Sequence, residues 1–234
     1  GKESFWIDEA GTVYTVQQKP FETIRDIYLT TAIAPKYFNQ SGAAPFYYVV
    51  SNYWNQLVGL SETRLRLLSA IFGVISIYII FLIGKLIFDY KTGLISAFLL
   101  SINYTHIWYS QEARSYSLGI LLTLLTVFFM LNALKKQNVL YWVSYVLSAA
   151  SLIYTHFFGI LIIIFEYIFL LMFWKEHRDF LKSIILSGIG IFVLYIPWIP
   201  AILRQVRGSS YLAAYLGQNI IYDLSRIFVQ FNTF

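Results

Sequence analysis

His106-Ile107-Trp108-Tyr109-Ser110-Gln111-Glu112-Ala113-Arg114-Ser115-Tyr116-Ser117 is a short polar and aromatic stretch set between two long apolar runs. Residues 93–102 approach it and residues 118–134 leave it, so if both runs cross a membrane, Glu112 and Arg114 lie on the tight turn joining them. Turns between spans can be built from uncharged residues, and a carboxylate with a guanidinium at a bilayer surface needs a reason. Two readings compete: an interfacial ion pair within an aromatic belt, or a catalytic or ligand-binding loop held at the membrane face.

Composition favours the membrane setting. Hydrophobic residues make up 58% of the 234 and charged residues 12%, about half the charge of a soluble globular chain. The absence of Cys excludes disulfides and thiolate metal sites. A net charge of +5 would point to nucleic acid in a soluble protein. Here the basic residues fall largely in interspan loops, where topology accounts for them, and no nucleic-acid partner is expected. No Gly-rich phosphate loop, Ser/His/Asp nucleophile pattern or paired metal-His spacing occurs, which argues against a nucleotide-dependent cytoplasmic enzyme.

Working outward, residues 1–66 are too polar to span, with Asp8, Glu9, Glu22, Arg25, Asp26 and Lys36 interrupting the apolar residues. They read as an extracytoplasmic loop with interfacial helices over 21–34 and 45–60, separated by a small-residue hinge, Ser41-Gly42-Ala43-Ala44-Pro45. Residues 67–200 read as a bundle of about six transmembrane helices, over 67–88, 93–108, 118–134, 141–155, 157–174 and 183–199. The second run is short for a perpendicular crossing and is expected to end in the interface or under a polar cap. Residues 201–234 read as a further extracytoplasmic segment. Both ends read as cut, with a first helix expected before Gly1 and a C-terminal part beyond Phe234. The fold class is therefore an all-α polytopic membrane protein with amphipathic juxtamembrane helices.

Lys85, Lys91, Lys135, Lys136, Lys175, Arg178 and Lys182 fall on one side of these spans, whereas the opposing short turns carry only Arg114. The positive-inside rule makes the first side cytoplasmic. Residues 1–66, the Glu112 turn, the turn at His156 and residues 201–234 then share the outer face of an integral plasma-membrane protein.

That face holds the residues suited to chemistry. Asp8-Glu9 follows an apolar Phe5-Trp6-Ile7. Adjacent carboxylates there serve as a base and a metal ligand or as a helix-start charge pair favoured by the macrodipole. Glu112 adds a third carboxylate from a second loop, and the three are able to converge on one divalent ion. Oxygen ligands suit Mg²⁺ or Mn²⁺, and a contribution from His106 or His156 shifts the preference toward Mn²⁺ or Zn²⁺; otherwise each His is a hydrogen-bonded interfacial residue. The forked donors of Arg114, Arg64 and Arg66 suit a phosphate at headgroup depth, while Arg64 and Arg66 serve equally as anchors at a helix start. Gln111 and Tyr116 flank the Glu112–Arg114 pair. Glu166 differs, standing mid-span in Ile162-Ile163-Ile164-Phe165-Glu166-Tyr167. An acid is costly there and is a functional candidate by default; its partner is on another helix, outside this stretch of chain, or a proton, and it falls outside the catalytic set.

Five stretches together carry a family resemblance. They are Phe5-Trp6-Ile7-Asp8-Glu9-Ala10; Ala44-Pro45-Phe46-Tyr47-Tyr48 with Trp54; Ser61-Glu62 with Arg64-Leu65-Arg66-Leu67-Leu68-Ser69-Ala70-Ile71-Phe72-Gly73; His106 to Tyr116; and Tyr154-Thr155-His156-Phe157-Phe158. In this order they resemble the membrane-embedded glycosyltransferases of the GT-C fold, in the branch of the protein O-mannosyltransferases and the lipid A aminoarabinose transferase. The resemblance implies a GT-C-like helix bundle, a polyprenyl-phosphate sugar donor, and inverting transfer on the extracytoplasmic face to a lipid, glycan or protein acceptor. It implies Asp8 as general base supported by Glu9, Glu112 at the second acidic site as a metal ligand, and Arg114 on the donor phosphate. One departure is that Ala43-Ala44-Pro45 stands where the family commonly has His-Pro-Pro. The competing class is a non-catalytic lipid flippase or transporter with Glu166 as its coupling residue; a scaffold subunit without activity is a third.

Overall fold

In the computed structural model, the described residues are 7–29, 45–136, 138–172 and 180–208; they form helices joined by short turns, with no strand among them. Phe5 and Trp6, the hinge up to Ala44, the charged loop at 175–179 and residues 209–234 lie outside the described residues.

The segment before the bundle folds into three helices, α1 (Ile7–Gln17), α2 (Pro20–Leu29) and α3 (Pro45–Val58). Pro20 occupies the first position of α2, where no backbone N–H is needed, and Glu22 Oε2 accepts from the Lys19 N–H at 3.3 Å. The expected helix over 45–60 is α3; the expected helix over 21–34 corresponds to α2.

The bundle begins with α4 (Glu62–Ile87). Ser61 caps it, accepting from the Arg64 N–H, with Glu62 in its first turn and Lys85 in its last, so both ends complement the helix dipole. Then come α5 (Tyr90–Ser101), α6 (Tyr104–Ser110), α7 (Tyr116–Lys136), α8 (Val139–Ile153), α9 (Gly159–Met172) and α10 (Leu181–Tyr195), which runs through one 3₁₀ turn into α11 (Ile199–Gly208). Among the described residues three stretches are long and apolar enough to cross a membrane: α4, α7 and Leu181–Arg204. The other three apolar helices are shorter, α8 with 15 residues, α9 with 14 and α5 with 12. A 12-residue helix rises about 18 Å, well under a core of about 30 Å.

The run expected over 93–108 is interrupted. Asn103 accepts from the His106 N–H at 2.9 Å and starts α6 as a separate helix, so α5 stops at Ser101. Gly84 and Gly93 bring α4 and α5 into backbone contact, since a Cβ on Gly84 would stand 2.8 Å from Gly93 Cα. α7 and α8 carry the main core, in which Leu118, Leu122, Tyr145, Ala149 and Leu152 are buried with Ile184 of α10. Large apolar residues such as Val74, Phe98, Phe165 and Phe192 point outward, where lipid rather than water is their solvent.

Candidate active site

Glu9, in the first turn of α1, is fully buried. Its Oε1 accepts from Arg66 Nε at 3.1 Å and from the Ala113 backbone N–H at 2.9 Å, and its Oε2 from Arg66 Nη2 at 2.6 Å. Arg66 Nη1 pairs with Glu62 Oε1 at 2.6 Å, one turn back on α4. A carboxylate taken wholly out of water needs a charge partner and several donors, and here they come from two distant elements. Glu9 therefore joins α1, the start of α4 and the turn after α6. Val16, Leu65 and Ala113 form a small apolar core beneath this knot, with Val13 and Trp54 packed on it. Asp8 shares the first turn of α1, and its side chain lies outside the described residues.

The other end of α1 is held by α3. Asn52 Nδ2 donates to the Val16 carbonyl at 3.2 Å and to the Gln18 carbonyl, and Asn55 Nδ2 donates to Val16 at 3.1 Å. Carbonyls at a helix C-terminus have no intrahelical partner, so these amides fix both position and direction of α1. The Trp54 indole N–H donates to the Arg64 carbonyl at 2.7 Å, tying α3 to α4 as well.

The central stretch folds as α6 followed by a turn. Within it the Trp108 indole N–H donates to Glu112 Oε1 at 2.6 Å, and the Arg114 N–H donates to the Glu112 carbonyl at 2.8 Å. Glu112 is buried. Gly73 allows α6 to lie flat on α4: a Cβ there would fall 2.2 Å from Ser110 Oγ. His106 packs into the same contact, buried, with neither ring nitrogen in a well-formed hydrogen bond although the Gly73 backbone lies beside it. Burial holds its pKa below the ordinary value for His. Among the described residues no three His, Asp or Glu side chains approach closely enough to hold a metal ion. Asp8, expected as a further carboxylate beside Glu112, has its side chain outside the described residues.

Arg114 leads to the third turn. Its guanidinium lies over the Tyr116 ring at 5.8 Å, and Tyr116 is 4.5 Å from Tyr109 and 6.0 Å from His156, ring centre to ring centre. The His156 ring stacks on Phe158, and its pKa is lowered by burial and then by the charge of Arg114. The Phe46 N–H donates to the Tyr154 carbonyl at 2.9 Å, which ties the first turn of α3 to the His156 turn. Ser117 Oγ donates to the Ser69 carbonyl at 2.7 Å and ties the start of α7 to α4.

Glu9, Arg66, Glu112, Arg114, Tyr116 and His156 are thus linked at one end of the bundle through a continuous set of contacts. Arg66 has its fork committed to Glu9 and Glu62. Arg64 is exposed and reaches over Gly59, and Gln111 is exposed at the end of α6. Lys85, Lys91, Lys135, Lys136 and Lys182 lie at the opposite helix ends. The structure adds Tyr47, which the sequence reading did not single out as a site residue. Its buried hydroxyl stands among those of Ser51 and Ser69 within the field of Arg114, and burial pushes its pKa upward, so it stays a donor. The available signal was its place in Ala44-Pro45-Phe46-Tyr47-Tyr48, with Ser51 one turn on.

The family model described as dolichyl-phosphate-mannose-protein mannosyltransferase matches residues 43–203, well over half of the chain. The chain belongs to this family. Comparison with curated proteins and with solved structures finds no match. The mannosyltransferase family match runs from α3 into α11 and includes the Glu112 turn and the His156 turn, while α1 with Asp8 and Glu9 precedes it. Membership makes the chain an integral membrane protein of glycosyltransferase type with a GT-C-like helix bundle.

Proposed function

We propose that this protein transfers a sugar from a polyprenyl-phosphate donor to an acceptor hydroxyl on the extracytoplasmic face, with inversion at the sugar. The observation that carries the reading is the buried Glu9, which fastens the helix bearing Asp8 to the turn bearing Glu112 and Arg114. A base and a phosphate-binding guanidinium are thereby drawn from elements far apart in sequence to one end of a membrane bundle, with Lys85, Lys91, Lys135, Lys136 and Lys182 at the other end. A lipid-linked donor keeps its reacting carbon near that plane, whereas a soluble donor has no such need.

In the step, the acceptor O–H gives its proton to Asp8 while its oxygen bonds to the anomeric carbon. The bond from that carbon to the phosphate oxygen breaks on the opposite face, and the electron pair leaves with the polyprenyl phosphate. Arg114 stabilises the charge that develops there. His156, its pKa lowered by burial and then by the charge of Arg114, lines the site beside Tyr116. Glu9 acts through Arg66 and Ala113 as a positioning residue.

The test is transfer from a panel of radiolabelled polyprenyl-phosphate sugars in membranes containing the full-length protein. Asp8→Asn is expected to lose about 10²-fold or more of the rate at equal expression, and Arg114→Gln to weaken use of the donor. Wild-type transfer by Asp8→Asn would remove the base assignment. Movement of the lipid without turnover of any donor would favour a flippase instead.

A further inference from the structure

Glu166 is not part of the end just described. α9 buries a single seam, Gly159, Ile163, Glu166 and Leu170, and leaves Phe165, Ile168 and Phe169 exposed. The acid therefore stands in the middle of the only face by which this helix meets the described bundle. Its Oε1 lies 2.7 Å from Thr126 Oγ1 on α7, and that same hydroxyl oxygen lies 2.8 Å from the Thr123 carbonyl.

A threonine hydroxyl has one hydrogen. Were Glu166 a carboxylate, both neighbours of Thr126 would be acceptors, and one hydrogen would have to serve two short contacts as a weaker three-centre bond. With a carboxylic acid both contacts are hydrogen bonds: the Glu166 O–H donates to Thr126 Oγ1, and Thr126 donates to the Thr123 carbonyl. The surroundings agree. Glu166 is buried, and the groups facing it from the neighbouring helices are neutral hydroxyls. Tyr145 of α8 stands beside both Glu166 and Tyr167, and the Tyr167 hydroxyl is 2.8 Å from Ser187 Oγ on α10, which donates to the Ile184 carbonyl at 2.7 Å. α8 and α9 carry no basic residue; Lys135 and Lys136 of α7 sit in its last turn and Lys182 of α10 in its first.

We propose that Glu166 is an intramembrane proton-binding site, and that its bound proton is the hydrogen bond fastening α9 to α7. Between helices in lipid, where burial of apolar area does not drive association, polar pairs of this kind hold neighbours together. The proposal stands whether or not the transfer reaction does.

The test is infrared difference spectroscopy of the purified full chain at about pH 7.5, wild type minus Glu166→Gln. The amide keeps a donor of the same shape, so the variant is expected to retain the wild-type melting temperature. Loss of a carboxylic-acid C=O band that shifts in D₂O is the expected result. Loss of a carboxylate band instead would overturn the proposal. Should Glu166→Gln not fold, Thr126→Val serves: removing the acceptor is expected to move the acid band to higher frequency, and a wild type without any such band overturns the assignment.

Discussion

At Glu9 three N–H donors converge on two oxygens that have no access to water, so the residue and Arg66 depend on each other. Removing Arg66 leaves the Glu9 carboxylate buried without its ion partner, which costs about 3–5 kcal/mol, whereas removing Glu9 leaves Arg66 partly exposed and still paired with Glu62. Arg66→Ala is therefore expected to lower the melting temperature in detergent by roughly 6–20 °C and to lose transfer; a melting temperature within a degree or two of wild type would contradict the knot. Arg66→Lys keeps the charge but not the fork, and is expected to lose transfer while keeping more of the stability. The Asp-Glu pair and the arginines were visible in the sequence because charges beside apolar runs stand out. Their pairing was not, since Glu9 meets Arg66 across 57 residues and Ala113 across 104. A local pattern carries nothing about contacts at such separations. The Tyr47, Ser51 and Ser69 hydroxyls were hidden for a different reason: in a chain with 19 Tyr, one more aromatic in an interfacial helix carries no signal.

Elements pack here through glycines and caps more than through amphipathic stripes. Gly73 is the floor on which α6 rests, and a side chain there must displace Ser110, whose Oγ a Cβ would meet at 2.2 Å. Gly73→Val is expected to shift α6 and the Glu112 turn, lowering transfer at least tenfold with a stability loss of about 1–3 kcal/mol; activity and melting of the same preparation check both. Gly93→Leu presses on the Phe81 carbonyl, which a Cβ would approach to 2.6 Å, and is expected to loosen α5 from α4, far from the site. Protease sensitivity of the Tyr90 region reads that loosening. Hydropathy located the apolar helices because each has a long apolar run. It did not locate the break after α5, where one hydrogen bond, accepted by Asn103 from the His106 N–H, decides that the chain turns.

Across the whole molecule, acidity should act through the two histidines near the site. His106 and His156 both have pKa values lowered by burial, from an ordinary value of 6.5. The unfolded chain therefore takes up their protons at a higher pH than the folded one, and stability rises with pH through this window and is lost as pH falls through it. The histidines' share of the stability is expected to drop between about pH 7.5 and about pH 5.5, against the opposite slope from the proton proposed on Glu166, and the difference in slope between wild type and His156→Gln isolates it; an unchanged slope would assign the sensitivity elsewhere.

The contact between Glu9 and the Ala113 amide also has a meaning for biosynthesis. Ribosomes deliver the chain from its N-terminal end, so α1 is made long before residue 113, and Tyr154, which receives the Phe46 amide, emerges later still. During that interval Glu9 and Arg66 have each other but not the turn, and the helix bearing Asp8 has no fixed relation to the residues it is to work with. Closing a loop of this length is also entropically slow. These contacts cannot all form until the chain has emerged past Tyr154, and a chain arrested before its fourth apolar helix is inserted is a membrane protein in which this end of the bundle is not assembled.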